Sequence, residues 1–219
     1  YALAEMELKS GRVRVIAQDA AWDFGAPRYS PDGDRIAFVA SHQGLKHTMP
    51  AQLAVWERGG RWEVLSAEWD HEVQLPLQWE DDGLAVLFAA EQRGRRHLWR
   101  FELASRRAEV VVEGGWVGSF DKAAGTLVAL ADSATHPGRL TAWSAGRAPL
   151  RIESFNDALL APLARGRVEE QWIRGASAQP PLAAPAAKRR GKGAAAAAEP
   201  AWKPNQPTQS SEAPITAST

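Results

Sequence analysis

Ser177 stands in Gly175-Ala-Ser177-Ala-Gln179, the nearest approach in this chain to a Gly-x-Ser-x-Gly turn that would present a nucleophilic serine between a strand and a helix. The final glycine is missing and Pro180-Pro181 follows, so the segment cannot form that elbow. Five histidines, His42, His47, His71, His97 and His136, show neither His-Glu-x-x-His spacing nor a recognisable His/carboxylate ligand pattern. His42 and His47 share a long loop, where a solvated role outweighs a catalytic one. Trp69-Asp-His-Glu72 has the residue types of a proton relay, but an exposed connection explains it at least as well. Lys188-Arg-Arg-Gly-Lys192 is a short basic cluster, and any nucleic-acid contact through it would be weak and salt-sensitive. No glycine-rich phosphate loop opens a helix. The expected catalytic, cofactor-binding and metal residues are therefore none, and no cofactor is expected.

Bulk composition narrows the field further. The 219 residues carry 26 basic and 26 acidic side chains, so no charge imbalance points to nucleic acid or a membrane surface. Cysteine is absent, which removes disulfides and thiolate chemistry together and fits a reducing compartment. No apolar run approaches the roughly 18 residues of a spanning helix. A cytoplasmic location without nucleic-acid or membrane partners is the expectation.

What organises the chain is a repeat. An aromatic residue, an acidic turn and a glycine recur as Tyr29-Ser-Pro-Asp-Gly33, Trp79-Glu-Asp-Asp-Gly83 and Phe120-Asp-Lys-Ala-Ala-Gly125. Each is followed by a β-rich run that ends in tryptophan: Trp56, Trp99 and Trp143, spaced 43 and 44 residues apart. Three and five residues after each glycine stand two apolar residues: Ile36 and Phe38, Val86 and Phe88, Val128 and Leu130. That alternation predicts a half-buried strand in one shared register. Later strands are expected at Leu53–Trp56 and Trp62–Leu65, at Leu98–Phe101 and Glu109–Val112, and at Leu140–Trp143 and Leu150–Ile152. The period and chemistry are those of propeller blades, with the tryptophans as wedges between adjacent sheets. Glu5–Leu8 and Val13–Ile16 read as the last two strands of a preceding blade. The expected fold is all-β, a partial β-propeller of four-stranded antiparallel blades, about three and a half in number, opening in mid-blade.

The predicted organisation is a partial propeller over 1–155, an exit segment over 156–176 and a tail over 177–219. In the exit segment, Asn156–Leu163 reads as a short amphipathic stretch and Val168–Ile173 as one more strand. The tail holds seven of the chain's 14 prolines, with Trp202 its single aromatic residue, and cannot bury enough apolar surface to offset its ordering entropy. It is expected to be disordered, and the abrupt change of composition after Gly175 reads as a shifted reading frame.

Tyr29-Ser-Pro-Asp-Gly-Asp-Arg-Ile-Ala-Phe38 resembles the aspartate-glycine turn of propellers in the TolB-like and prolyl oligopeptidase groups. Leu150–Ala161, followed by Val168-Glu-Glu-Gln-Trp-Ile-Arg-Gly175, is similar to the exit from propeller to hydrolase in acylaminoacyl-peptidase-type members of the prolyl oligopeptidase family. The resemblance covers roughly residues 1–176. It implies an N-terminal cap that limits entry of short peptides to an α/β-hydrolase domain carrying a Ser-Asp-His triad. No residue here matches the elbow, the acid or the base of that triad, so no catalytic residue carries over. Peptide substrates would be handled through the missing hydrolase domain, and open propeller edges would favour oligomerisation. The rival expectation is a stand-alone TolB-like module that binds a protein or peptide.

Overall fold

The computed structural model describes residues 1–44, 48–164 and 166–171, and Tyr1–Glu170 form one compact unit. The Ser177 segment, Lys188–Lys192, His47 and the expected tail lie outside the described residues.

Two short strands, β1 (Leu3–Met6) and β2 (Val13–Ala17), pair as an antiparallel ribbon. A four-stranded antiparallel sheet follows in simple meander order: β3 (Trp22–Tyr29), β4 (Arg35–His42), β5 (Gln52–Glu57) and β6 (Trp62–Val64). The next blade is β7 (Gln74–Trp79), β8 (Ala85–Gln92), β9 (Arg95–Glu102) and β10 (Arg107–Val112). The third is β11 (Trp116–Ala123), β12 (Thr126–Ser133), β13 (His136–Ser144) and the two-residue β14 (Leu150–Arg151). A single parallel bridge, Trp116 to Arg96, joins the second and third blades.

Alternate residues of each central strand face opposite seams, as the pleat requires. From β4, Ile36, Phe38 and Ala40 pack with Trp56 toward β1 and β2, joined by Leu3 and Ala17. Ala37, with Leu53 and Val55 from β5, turns the other way to meet Val86, Phe88, Trp99 and Phe101 of the second blade. Leu87, Leu98 and Val112 then meet Val117, Phe120, Leu127 and Ala129 of the third. Phe38, Phe88 and Phe101 are fully buried. The three tryptophans occupy one position each on the third strand and lie opposite Ile36, Phe88 and Leu127.

The third blade departs from the expected register. Leu127 and Ala129, two and four residues after Gly125, are buried, whereas Val128 is half-buried and Leu130 is exposed. The cause lies in the turn. Phe120 to Gly125 is one residue longer than its counterparts, and it closes as a two-residue hairpin in which Ala124 (φ 50°) and Gly125 (φ 73°) are both left-handed. Such paired positive φ values match the twist of flanking strands. β12 therefore starts directly after the glycine, while β4 and β8 start two residues after theirs.

The exit segment differs too. Among its described residues, Asp157–Leu160 alone is helical, a single turn, and Val168–Gln171 form no strand. Val168 is exposed. Trp172 and Ile173 lie outside the described residues.

Candidate functional site

The first strands of the blades, β3, β7 and β11, adjoin one another and are stitched across the seams by side chains. Trp79 donates its indole N–H to the carbonyl of Arg28 at 2.9 Å. That carbonyl sits at an irregularity in the β3–β4 ladder between Gly25 and Arg28. Gln78 imitates a strand edge, donating from Nε2 to the Lys122 carbonyl at 2.6 Å and accepting the Lys122 N–H at 3.1 Å. The Lys122 ammonium pairs with Glu80, and burial pulls its pKa below the ordinary lysine value. These contacts fix the blades edge to edge. They present no nucleophile beside a base.

Arg96 is the strongest buried polar feature, and nothing in the sequence pattern singles it out. It follows Arg95 after the Arg93-Gly94 turn, and strand alternation sends one guanidinium outward and the other in. Arg96 Nε donates to Gln74 at 2.6 Å, Nη2 to the Leu75 carbonyl at 2.9 Å, and Nη1 to the carbonyls of Val117 and Gly118. No carboxylate among the described residues forms an ion pair with it. Gln74 in turn donates to Glu91 at 3.0 Å. One side chain thus holds β7, β9 and β11 together at the hairpin end of the seam.

Three of the described histidines, His42, His71 and His97, are packing residues. His42 stacks edge-on against Trp22 at 4.8 Å between ring centroids, and its Nδ1 lies 2.7 Å from the Gln43 carbonyl. His71 and Trp69 fold over Trp99, with centroid distances of 5.6 and 5.2 Å. The connection Trp69-Asp-His-Glu72 is therefore an aromatic lid on the wedge, its carboxylates turned to solvent. His97 is buried, and its Nδ1 accepts the Gly114 N–H at 3.2 Å. Burial holds its pKa below the usual histidine value, opposed by Glu113 and reinforced by Arg95. No group of His, Asp or Glu able to hold a metal occurs among the described residues.

A cavity of about 420 Å³ opens between the first and second blades at the turn end. Arg35, Arg61 and Arg106 line it with Glu57, Glu63 and Glu102, and Leu65 and Leu103 form its apolar wall. Arg106 bonds Glu63 at 2.6 Å, and Arg35 lies over the Trp79 ring at 5.2 Å. Charges here are balanced and partly paired, an arrangement suited to contact with another polar surface.

Comparison with solved structures places this architecture. The propeller domain of the trilobed protease from Pyrococcus furiosus superposes with a TM-score of 0.55 at 21% identity, over 70% of this chain and 44% of that one. The fold is a β-propeller. Acylaminoacyl peptidase from Pyrococcus horikoshii matches with a TM-score of 0.56 at 18% identity, over 71% of this chain and 23% of the peptidase. TolB from Acinetobacter baumannii matches at 0.53 and 16%, over 69% of this chain and 37% of TolB. By sequence, dipeptidyl-peptidase 5 from Porphyromonas gingivalis is 26% identical over 112 residues, which is 49% of this chain and 16% of that protein. The chain thus spans less than half the length of each of these proteins. No family model matches it. Prolyl oligopeptidase-family propellers stand among its structural neighbours, together with TolB and an oligogalacturonate lyase.

Proposed function

We propose that these blades belong to the propeller of a prolyl oligopeptidase-type serine peptidase and restrict the entry of short peptides to a hydrolase domain. The observation that carries the reading is the sequence match to dipeptidyl-peptidase 5. Fold alone does not choose, because TolB superposes almost as well as the peptidases. The exit-like residues Leu150–Ala161 add to it, since Arg151 is clamped by Glu153 at 2.8 Å and Asp157 at 2.7 Å where the chain leaves the last blade. In this reading the chain positions and filters substrate and performs no bond cleavage itself.

The test begins with the nucleotide sequence beyond codon 175. A reading frame encoding a hydrolase with a Gly-x-Ser-x-Gly elbow is expected there, and the absence of one in all frames sinks the proposal. The joined protein should cleave short acyl-amino-acid or dipeptidyl chromogenic substrates and spare casein, and deletion of the blades should relax that size limit. The purified 219-residue chain should show no turnover sensitive to a serine-directed inhibitor. The TolB match supports a second reading, a protein- or peptide-binding module. An envelope-complex gene neighbourhood with no hydrolase frame would favour it.

A further inference from the structure

Five arginines among the described residues are shielded from full exposure: Arg35, Arg96, Arg100, Arg139 and Arg151. Four are compensated. Arg35 lies 3.6 Å from Asp32, and Arg96 donates to three carbonyls and to Gln74. Arg100 reaches Glu80, Glu102 and Glu109, while Arg151 is held by Glu153 and Asp157. Arg139, half-buried on β13, has no hydrogen-bond or ion-pair partner among the described residues. A guanidinium with five donors is costly to shield from water unpaired.

Arg139 lines a cavity of about 460 Å³ at the seam between the second and third blades. That volume lies within the roughly 300–1,000 Å³ of small-ligand sites. Its apolar floor includes Trp143 and Val112. One wall is bare backbone at Gly114-Gly115, where side chains do not fit: a Cβ on Gly115 would lie 2.5 Å from the Asp132 carbonyl oxygen. The carboxylates of Glu113 and Asp132 line the same cavity, and neither forms an ion pair among the described residues.

We propose that this cavity binds a small zwitterion, a free amino acid or dipeptide with an apolar side chain. Arg139 receives the α-carboxylate, Asp132 and Glu113 face the ammonium, and the side chain lies on Trp143. A carboxylate fits the planar fork of arginine through two parallel hydrogen bonds. Arg95, Arg151 and His136 also line the cavity, but Arg95 is paired with Glu170 and Arg151 with Glu153 and Asp157. Among the lining arginines and carboxylates that leaves Arg139 against Glu113 and Asp132, a balance that disfavours a bare dianion such as phosphate. The site is internal to the propeller, so it stands whether or not a hydrolase accompanies these blades.

Isothermal titration of the 219-residue chain tests this with four probes: L-phenylalanine, N-acetyl-L-phenylalanine, L-phenylalaninamide and inorganic phosphate. L-phenylalanine should bind saturably, and loss of the carboxylate in the amide should weaken binding about tenfold or more. The acetylated probe should bind more weakly than the free amino acid, and phosphate should not bind. Arg139→Gln should abolish L-phenylalanine binding with an unchanged or raised thermal midpoint, because no internal partner is lost. Arg139→Lys keeps the charge without the fork and should bind weakly, with circular dichroism reporting an intact fold for both variants. Four results would overturn the site: no saturable binding of L-phenylalanine, equal binding of the amide, tighter binding of phosphate, or undiminished binding by Arg139→Gln. A lower midpoint in Arg139→Gln would assign the guanidinium an internal partner and remove the premise.

Discussion

The second and third blades come from the same repeat, yet they bury it differently. In the second, β8 is covered on both sides: Val86 and Phe88 face the first blade, and Leu87 faces the third. In the third, Leu127 and Ala129 face the second blade, while Leu130 opens to solvent at 38% exposure. Equal sequence spacing therefore does not guarantee equal burial. What assigns a face is the point where the strand starts, and a single additional turn residue moves it by one position.

The largest expected difference between the two lies in their central strands. Phe88→Ala should lower unfolding free energy by about 3–5 kcal/mol, because its fully buried ring leaves a cavity. Leu130→Ala should cost under about 1 kcal/mol, since much of its surface is already wet. Urea denaturation of both variants measures the contrast. A comparable loss at Leu130 would mean that its face is covered in solution and would end the comparison.

Arg96 and Arg95 divide the seam in a similar way. Arg96→Leu strips the donors from the carbonyls of Leu75, Val117 and Gly118 and should cost about 2–3 kcal/mol. Arg95 bonds Glu170 at 2.7 Å with both side chains about half exposed, so Arg95→Leu should cost no more than about 1 kcal/mol. If the two variants unfold at the same urea concentration, Arg96 is not the link between the blades.

These contrasts mark how far the sequence could be read. The glycine turns, the three strands after each turn and the tryptophan wedges were visible because alternation and turn chemistry are local. The strands β3, β7 and β11 were marked only by their last aromatic residues: their interiors hold Gly25, Pro27, Pro76 and Gly118 and carry no clean alternation. The supports at the seam were hidden for another reason. Arg96, Gln78 and Lys122 look like ordinary surface residues until strands some 20 to 44 residues apart are brought together. Arg139 was equally silent, because only the folded chain shows which arginines lack partners. Val168–Ile173 reads as a strand, yet its described part, Val168–Gln171, forms none.

A smaller effect should separate the blades by pH. His97 lies buried in the second blade with its Nδ1 accepting a hydrogen bond, so its folded pKa lies below that of the unfolded chain. Below the ordinary histidine value of about 6.5, the unfolded state binds the proton first. The stability that His97 contributes is therefore complete above that pH and is lost as pH falls through the folded pKa. His97→Gln should flatten the urea midpoint between pH 7 and pH 5 relative to the parent chain. If the midpoint of His97→Gln falls between pH 7 and pH 5 as steeply as that of the parent chain, the pH dependence does not come from His97.

The smallest effect bears on the origin of the register difference. Ala124 adopts φ 50° beside Gly125, a region in which a Cβ crowds the following carbonyl. Asparagine and glycine accept that conformation readily, and Asn-Gly is the preferred pair for a two-residue hairpin. Ala124→Asn should therefore raise stability by about 0.5–1 kcal/mol without moving the strand. Asp32, in the five-residue loop between β3 and β4, is not among the residues with positive φ, so Asp32→Asn should bring no such gain. Asp32 also accepts the Asp34 N–H at 3.0 Å and pairs with Ser30, contacts that asparagine reproduces only in part. A gain at Ala124 with none at Asp32 ties the third blade's register to its hairpin. Equal responses would place its cause in packing against the second blade.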